Sequence, residues 1–148
     1  MLQVLHPVQT AVMPWRRAPR LPSPRMHAVI STSALPLFLG ALLSDWAYSR
    51  SFQTQWINFS SWLIAGALVL TGLALLGALV GGPRRRGGWV HLLLLLATFV
   101  LGFINALVHA RDAAATMPTG LVLSALVLVL AAVAAGMGLA GWRRRAIA

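Results

Sequence analysis

Ionisable and amide side chains near one end of the apolar segments form the most specific chemical signal in the sequence. Asn105, His109 and Asp112 follow one another at intervals of four and three residues, which places them on one face of a helix. Asp45 ends an earlier apolar segment at a similar depth, and Arg111 lies beside Asp112. Because a buried charge without a partner costs several kcal/mol, we expect a hydrogen-bonded ion pair such as Asp45 with Arg111 or His109.

These five residues, Asp45, Asn105, His109, Arg111 and Asp112, are called the polar cluster, and two interpretations of it stand side by side. As a structural clamp, it would hold the first and third apolar segments together. As a functional site, it would bind a ligand or relay protons, because ionisable groups in membrane proteins often serve transport. No aspartate or glutamate occupies the middle of an apolar segment, which disfavours a proton or ion pathway across a bilayer.

Two further histidines, His27 and His91, lie near the opposite ends of the first and third apolar segments. Neutral imidazoles on two facing helices can ligate a b-type haem, and these two would lie at comparable depth. The competing interpretation is that both histidines donate hydrogen bonds to carbonyls or phosphates at the headgroup interface. A zinc site is less favoured, because no third ligand of suitable type lies nearby. We therefore expect no metal and no cofactor, with haem b as the alternative.

Other reactive motifs do not occur in the sequence. It contains no Ser-His-Asp spacing, no phosphate-binding glycine loop and no nucleotide fingerprint. With no cysteine, the chain offers no disulfide, thiolate ligand or cysteine nucleophile. The sequence therefore predicts a protein that is not an enzyme.

Four apolar segments must position these residues. Of the 148 residues, 59% are hydrophobic and 9% are charged, and the mean hydropathy is +0.80, which is typical of a small multi-pass membrane protein. Each segment is long enough to cross a hydrocarbon core of about 30 Å. Within a domain at 27–142, we predict transmembrane helices at about 28–48, 59–81, 89–110 and 119–141.

The third segment is the one on which the others are expected to pack. Because lipid cannot satisfy hydrogen-bonding groups, its polar stripe must face other helices. The stripe consists of His91, Thr98, Asn105 and Asp112, which recur every seventh residue, with Gly102 and His109 between them. Small residues on the other segments offer faces for close packing: Gly40 and Ser44; Ala67, Thr71, Ala74 and Ala78; Ala131, Ala135 and Gly138.

The arginines predict the orientation. Residues 1–26 form a flexible basic arm rich in proline and arginine, and residues 143–148 form a basic tail. The arm, the loop at Arg84–Arg86 and the tail carry four, three and three arginines, against only Arg50 and Arg111 on the other side. The positive-inside rule then places both termini in the cytoplasm. Short connections make successive helices antiparallel, so the predicted fold is all-α, an integral membrane up-down four-helix bundle.

Several of these pieces occur together in one family. The Asn-x-x-x-His-x-Arg-Asp and Pro-Thr-Gly-Leu-x-Leu-Ser pieces are the most specific. His27-Ala28 departs from the family's His-Pro, and Gly81-Gly82 lacks the acidic residue usual after its second helix. Over about residues 27–142, the chain resembles the bacterial membrane-protein family catalogued as domain of unknown function 2231. The residues that carry the resemblance are His27, Pro36, Asp45, Trp62, Gly66, His91, Asn105, His109–Asp112 and Pro118–Ser124. The resemblance implies four helices and, because related domains occur joined to Rieske-type iron–sulfur modules, a redox setting.

Taken together, we expect a non-catalytic, multi-pass protein of the bacterial inner membrane that serves as an accessory or assembly subunit of a larger, respiratory or redox complex. Its expected partners are the lipid bilayer and other membrane-protein subunits, and a homo-oligomer is left open. The formal charge of +10 does not indicate nucleic acid, because the arginines flank apolar segments. The alternatives are a haem-binding electron-transfer module that uses His27 and His91, and a small transporter.

Overall fold

The computed structural model describes residues 24–82 and 88–146 of the chain. Over these residues the protein is all-α, which confirms that part of the predicted fold class. Four helices in this part of the chain are long and apolar enough to cross a membrane, as expected of a multi-pass membrane protein. The elements are α1 (Pro24–Ser51), α2 (Thr54–Gly81), α3 (Gly88–His109), the short α4 (Ala113–Thr116) and α5 (Thr119–Ala146). Most of the predicted arm, the arginines of the second loop and the last two residues lie outside the described residues.

The four long helices form a ring. Helix α1 packs against α2 and α5, and α3 packs against the same two neighbours, so α1 and α3 lie diagonally across the bundle. Near the ends of α1 and α3, Asp45 and His109 contact residues near the starts of the other two helices, Ser124 of α5 and Ser60 of α2. The final turns of α1 and α3 therefore lie beside the first turns of α2 and α5, and neighbouring helices run antiparallel.

Small residues let the helices approach closely. On α2, the predicted small-residue stripe is buried at Ala67, Thr71 and Ala74, and on α5 Ala131 and Ala135 are buried. Close approach compensates for the absence of a hydrophobic driving force between helices in lipid. Two apolar clusters fill the interior: Ala34, Phe38, Ala67, Val127 and Ala131 in one, and Ala74, Leu95 and Ala134 in the other.

The outer surface of the bundle is apolar as well. Large hydrophobic side chains are exposed on every long helix, for example Leu39, Leu76, Val100 and Val129. A helix that is apolar on all sides is stable only when it is buried in protein or in lipid. The exposed apolar faces are therefore suited to a bundle surrounded by hydrocarbon.

The helix boundaries differ from the predicted spans at the polar ends. Helix α1 continues to Ser51 and α2 begins at Thr54, so the connection that the predicted spans leave at residues 49–58 is only Phe52 and Gln53. Phe52 makes the turn with a φ of 54°, and its amide donates to the Tyr48 carbonyl at 2.8 Å. Residues 49–58 contain no proline or glycine, so most of them continue one of the two helices. At 28 residues, α1 is about 42 Å long, so its polar ends reach beyond a core of about 30 Å.

Gly102 offers a test of this packing. A Cβ at Gly102 would lie 3.0 Å from Leu68 Cδ2 and 3.6 Å from Phe38 Cζ, whereas a Cβ at Gly136 would meet nothing within 4 Å. We expect Gly102→Val to lower the free energy of unfolding by about 1–3 kcal/mol more than Gly136→Val, because Leu68 and Phe38 must move. Detergent-solubilised variants are compared by denaturant titration followed by circular dichroism. Equal losses in the two variants would contradict the close approach at Gly102.

Candidate functional site: a buried polar network

Five buried polar side chains meet at the end of the bundle where α1 and α3 finish. They are between 0% and 4% exposed, and each long helix contributes at least one of them. They are called the buried network, and they are Asp45 of α1, Ser60 of α2, Asn105 and His109 of α3, and Ser124 of α5.

The His109 ring is the centre of the network. Its Nε2 lies 2.8 Å from Asp45 Oδ1 and 3.3 Å from Ser60 Oγ. Its Nδ1 lies 2.9 Å from the backbone carbonyl oxygen of Asn105. A carbonyl oxygen can only accept, so Nδ1 carries a hydrogen and donates it. The Ser124 hydroxyl donates to Asp45 Oδ2 at 2.5 Å, and Asn105 Nδ2 donates to Ser124 Oγ at 2.9 Å. These contacts close a chain of hydrogen bonds through four helices.

Local helix geometry places these groups. Asn105 and His109 lie one turn apart on α3, and helical side chains lean toward the N-terminus, so the His109 ring reaches back to the Asn105 carbonyl. On α1, Gly40 allows α2 to approach, because a Cβ there would lie 3.1 Å from Leu63 Cδ1. The buried Ser44 hydroxyl donates to the Gly40 carbonyl at 2.8 Å. The small face of α1 thus brings its aspartate within reach of the other helices.

The segment between α3 and α5 packs over the imidazole. A Cβ at Gly120 would lie 2.7 Å from Thr116 Cγ2 and 2.9 Å from His109 Cε1. Thr116 is fully buried, and its hydroxyl lies 3.2 Å from the Asp112 carbonyl oxygen and 3.4 Å from that of Val108. Only glycine at position 120 leaves space for both the threonine methyl group and the imidazole ring.

The structure brings together three of the five residues of the predicted polar cluster. Asp45, Asn105 and His109 are in the buried network, whereas Arg111 and Asp112 are exposed. Of the two partners expected for Asp45, His109 is the one that it contacts. The seven-residue polar stripe stops short of Asp112 because α3 ends at His109 and the chain turns away from the helix axis.

Ser60, Ser124, Thr116 and Gly120 were not predicted as site residues. Single serines and threonines inside apolar segments have no periodicity that would separate them from helix-packing residues. For Ser124 and Gly120 a signal did exist, because both belong to the Pro118–Ser124 piece shared with the resembling family. For Ser60 and Thr116 the sequence offered none.

The histidine pair proposed for haem is only half described. His91 is partly buried near the start of α3, and a Cβ at Gly138 of α5 would lie 3.4 Å from its Cε1. The side chain of His27 lies outside the described residues, so bis-histidine ligation stays a prediction. Among the described side chains, no three histidine, aspartate or glutamate residues are grouped so that they would hold a metal ion.

The buried network contains serine, histidine and aspartate, but not in the arrangement of a nucleophilic triad. In a triad, the carboxylate and the serine contact opposite nitrogens of the imidazole. Here Asp45 and Ser60 both contact Nε2, and Nδ1 is occupied by the Asn105 carbonyl. The groups are also buried, so this geometry is suited to joining helices and holding a proton rather than to attacking a substrate.

The interior next to the network is apolar. Phe38, Ile64 and Val127 are each at most 1% exposed and lie one or two turns further into the bundle. Deeper in the bundle, the hydroxyls of Thr71 and Thr98 donate to carbonyls of their own helices. Within the described residues, the hydrogen bonds that join the five side chains of the buried network therefore end at this apolar layer.

Comparison of the chain with protein-family models, with curated proteins and with solved structures found no match. In the described residues, four helices are long and apolar enough to cross a membrane, which indicates the class of multi-pass membrane proteins. The resemblance to the family of domain of unknown function 2231 stays a prediction.

The contact between Asp45 and His109 can be measured by a double-mutant cycle. Asp45→Leu or His109→Leu alone leaves a buried partner group unpaired, so we expect each to cost about 3–5 kcal/mol of unfolding free energy. The double variant should lose clearly less than the sum of the two single losses. Denaturant titrations in detergent provide the four values, with Arg111→Leu as an exposed control expected to change stability by at most about 0.5 kcal/mol. Strict additivity would mean that the two side chains do not interact.

Gly120→Ala tests the packing over the imidazole. The added methyl group would overlap Thr116 and the His109 ring, so we expect a loss of about 1–3 kcal/mol in unfolding free energy. The matched control is Gly136→Ala, where the methyl group meets no atom within 4 Å. The unfolding midpoints of both variants are measured in the same detergent. A Gly120→Ala variant as stable as Gly136→Ala would show that the ring does not lie against position 120.

Proposed function

We propose that the protein is a non-catalytic, multi-pass inner-membrane protein that serves as an accessory or assembly subunit of a larger membrane complex. The observation that carries the proposal is the buried network, whose hydrogen bonds run between the protein's own helices. Polar groups used in this way hold a bundle together and are not available to a substrate. The bundle then acts as a preformed unit with an apolar surface that other membrane proteins can contact.

The proposed topology is an up-down bundle with both termini in the cytoplasm. Antiparallel neighbours put the start of α1 and the end of α5 at the same end of the bundle, opposite the buried network. The arginine-rich segments of the sequence adjoin that same end, and the positive-inside rule assigns such an end to the cytoplasm. The buried network would then lie at the outer side of the membrane.

A partner helix would find a suitable surface on α5. Ala132, Gly136 and Ala140 are exposed at four-residue spacing, and the space around Gly136 is open. In membranes, small residues at this spacing let two helix backbones approach closely. The strip supports packing against a helix of another subunit or of a second copy. The respiratory or redox setting is supported only by the family resemblance.

Transport is the less favoured alternative. A transport site needs a polar route from both sides of the membrane. The apolar layer formed by Phe38, Ile64 and Val127 lies between the buried network and the other end of the bundle. This arrangement supports a clamp at one end better than a route through the centre.

The proposal predicts that the protein purifies as part of a complex. Tagged protein is extracted from its native membrane in mild detergent, and the mass of the intact particles is measured by native mass spectrometry. We expect a species of fixed stoichiometry with another membrane protein. Gly136→Leu should reduce its yield, because a bulky side chain separates the two helices, whereas Ala65→Leu on the exposed face of α2 should not. Recovery of the wild-type chain only at its own mass would contradict the accessory role.

A further inference from the structure

The contacts of His109 determine how many protons the buried network holds. Nδ1 faces a backbone carbonyl, so its hydrogen is committed to that contact. Nε2 faces Asp45 Oδ1 at 2.8 Å, a hydrogen-bond distance between two atoms that both accept unless one of them is protonated. The Ser124 hydroxyl donates to the other carboxylate oxygen and supplies no hydrogen to this contact. One proton must therefore lie between Nε2 and Oδ1.

We infer that Asp45 and His109 form a proton-binding site that holds one proton between Nε2 and Oδ1, and that this proton exchanges with water at the end of the bundle covered by residues 112–118. The inference does not depend on the proposed function. If the protein had no partner subunit, the proton-binding site would be unaffected. If the proton count were different, the proposed role as a subunit would be unaffected.

Charge balance favours one proton in the contact between Nε2 and Oδ1. With the proton on Nε2, the pair is an imidazolium and a carboxylate; with the proton on Oδ1, it is a neutral imidazole and a carboxylic acid. The sum is zero in both forms. Loss of the proton leaves a carboxylate opposite a nitrogen lone pair, with net negative charge. A second proton leaves two donors opposite each other, with net positive charge. A net charge in a buried membrane site is strongly unfavourable, so both changes are resisted.

Other ionisable groups near this site do not provide a second partner in the structure. On α1, Tyr48 is buried one turn beyond Asp45, and its ring packs on Phe52 at a centroid distance of 6.2 Å. Arg50, Arg111 and Asp112 are exposed at the same end of the bundle. The facing turns of α2 and α5 contain no ionisable residue. The proton is therefore shared by one pair only.

The two sides of the site differ in how they are closed. Toward the middle of the bundle, buried Phe38, Ile64 and Val127 form an apolar layer. Toward the end, the covering segment contains the four-residue helix α4, which packs mainly on α3. It is held next to His109 by the buried Thr116, whose hydroxyl bonds are 3.2 and 3.4 Å long. Opening this short segment exposes the imidazole, whereas opening the other side requires the four long helices to separate.

The proton count is tested by spectroscopy on the whole protein in lipid bilayers at neutral pH. Solid-state NMR of ¹⁵N-histidine-labelled protein reports whether each ring nitrogen carries a hydrogen, and the His109 signals are assigned by their loss in His109→Gln. Infrared spectroscopy reports whether Asp45 is a carboxylic acid, assigned by the loss of its band in Asp45→Asn. We expect either two protonated ring nitrogens with an ionised Asp45, or one protonated ring nitrogen with a protonated Asp45. One protonated ring nitrogen together with an ionised Asp45 would overturn the inference, as would two together with a protonated Asp45.

The route by which the proton exchanges with water is tested by transferring the protein into D₂O. The rate of deuterium uptake is followed on the His109 NMR signals and the Asp45 infrared band. Thr116→Val removes the hydroxyl that holds the covering segment, so we expect exchange several-fold faster than in the wild type. Thr98→Val is the matched control. Thr98 is also buried, but its hydroxyl donates within α3 on the far side of the apolar layer from the buried network. The Thr98→Val variant should therefore exchange at the wild-type rate. Ala115→Gly loosens α4 at an exposed position and should also accelerate exchange. Wild-type rates in both covering-segment variants would overturn the assigned route.

Discussion

A polar group inside a membrane must find its hydrogen-bond partner within the protein, and the structure depends on how Asp45 meets this constraint. Its two carboxyl oxygens contact different helices: Oδ2 accepts from the Ser124 hydroxyl of α5, and Oδ1 is hydrogen-bonded to the His109 imidazole of α3. The imidazole satisfies its second nitrogen on its own backbone. Because the members of the buried network are hydrogen-bonded to one another, sliding or rotating one helix would break these bonds and leave buried groups unpaired, which costs far more in hydrocarbon than in water.

Close packing follows from that requirement. Hydrogen bonds of 2.5 to 2.9 Å between α1, α3 and α5 need backbones that approach closely. Glycine allows this approach at Gly120, against the His109 ring, and further along the helices at Gly40 and Gly102. The apolar layer formed by Phe38, Ile64 and Val127 keeps the network isolated from the rest of the interior. The glycines let the helices approach closely enough to form the buried network, and the large apolar residues next to it separate it from the rest of the interior.

The sequence predicted the elements better than the contacts. Long apolar segments and a polar stripe on α3 were enough to predict four helices and the burial of Asn105 and His109, because lipid excludes unpaired polar groups. The partner of Asp45 could not be chosen between His109 and Arg111, because the periodicity of a helix does not show where the helix ends. Ser60 was missed because its partner His109 is 49 positions away in the sequence. Thr116 was missed because its contacts depend on how the chain turns after α3, which no local pattern encodes.

The separation of Asp45 and His109 along the chain bears on how the protein is made. The two residues are 64 positions apart, so at a synthesis rate of about 5–20 residues per second the ribosome produces the histidine about 3–13 s after the aspartate. During that interval the first helix must wait at the insertion machinery, or at the bilayer surface, with its carboxylate still hydrated. A position near the end of α1 suits this delay, because a side chain there can stay in contact with the aqueous boundary until the third span has been delivered.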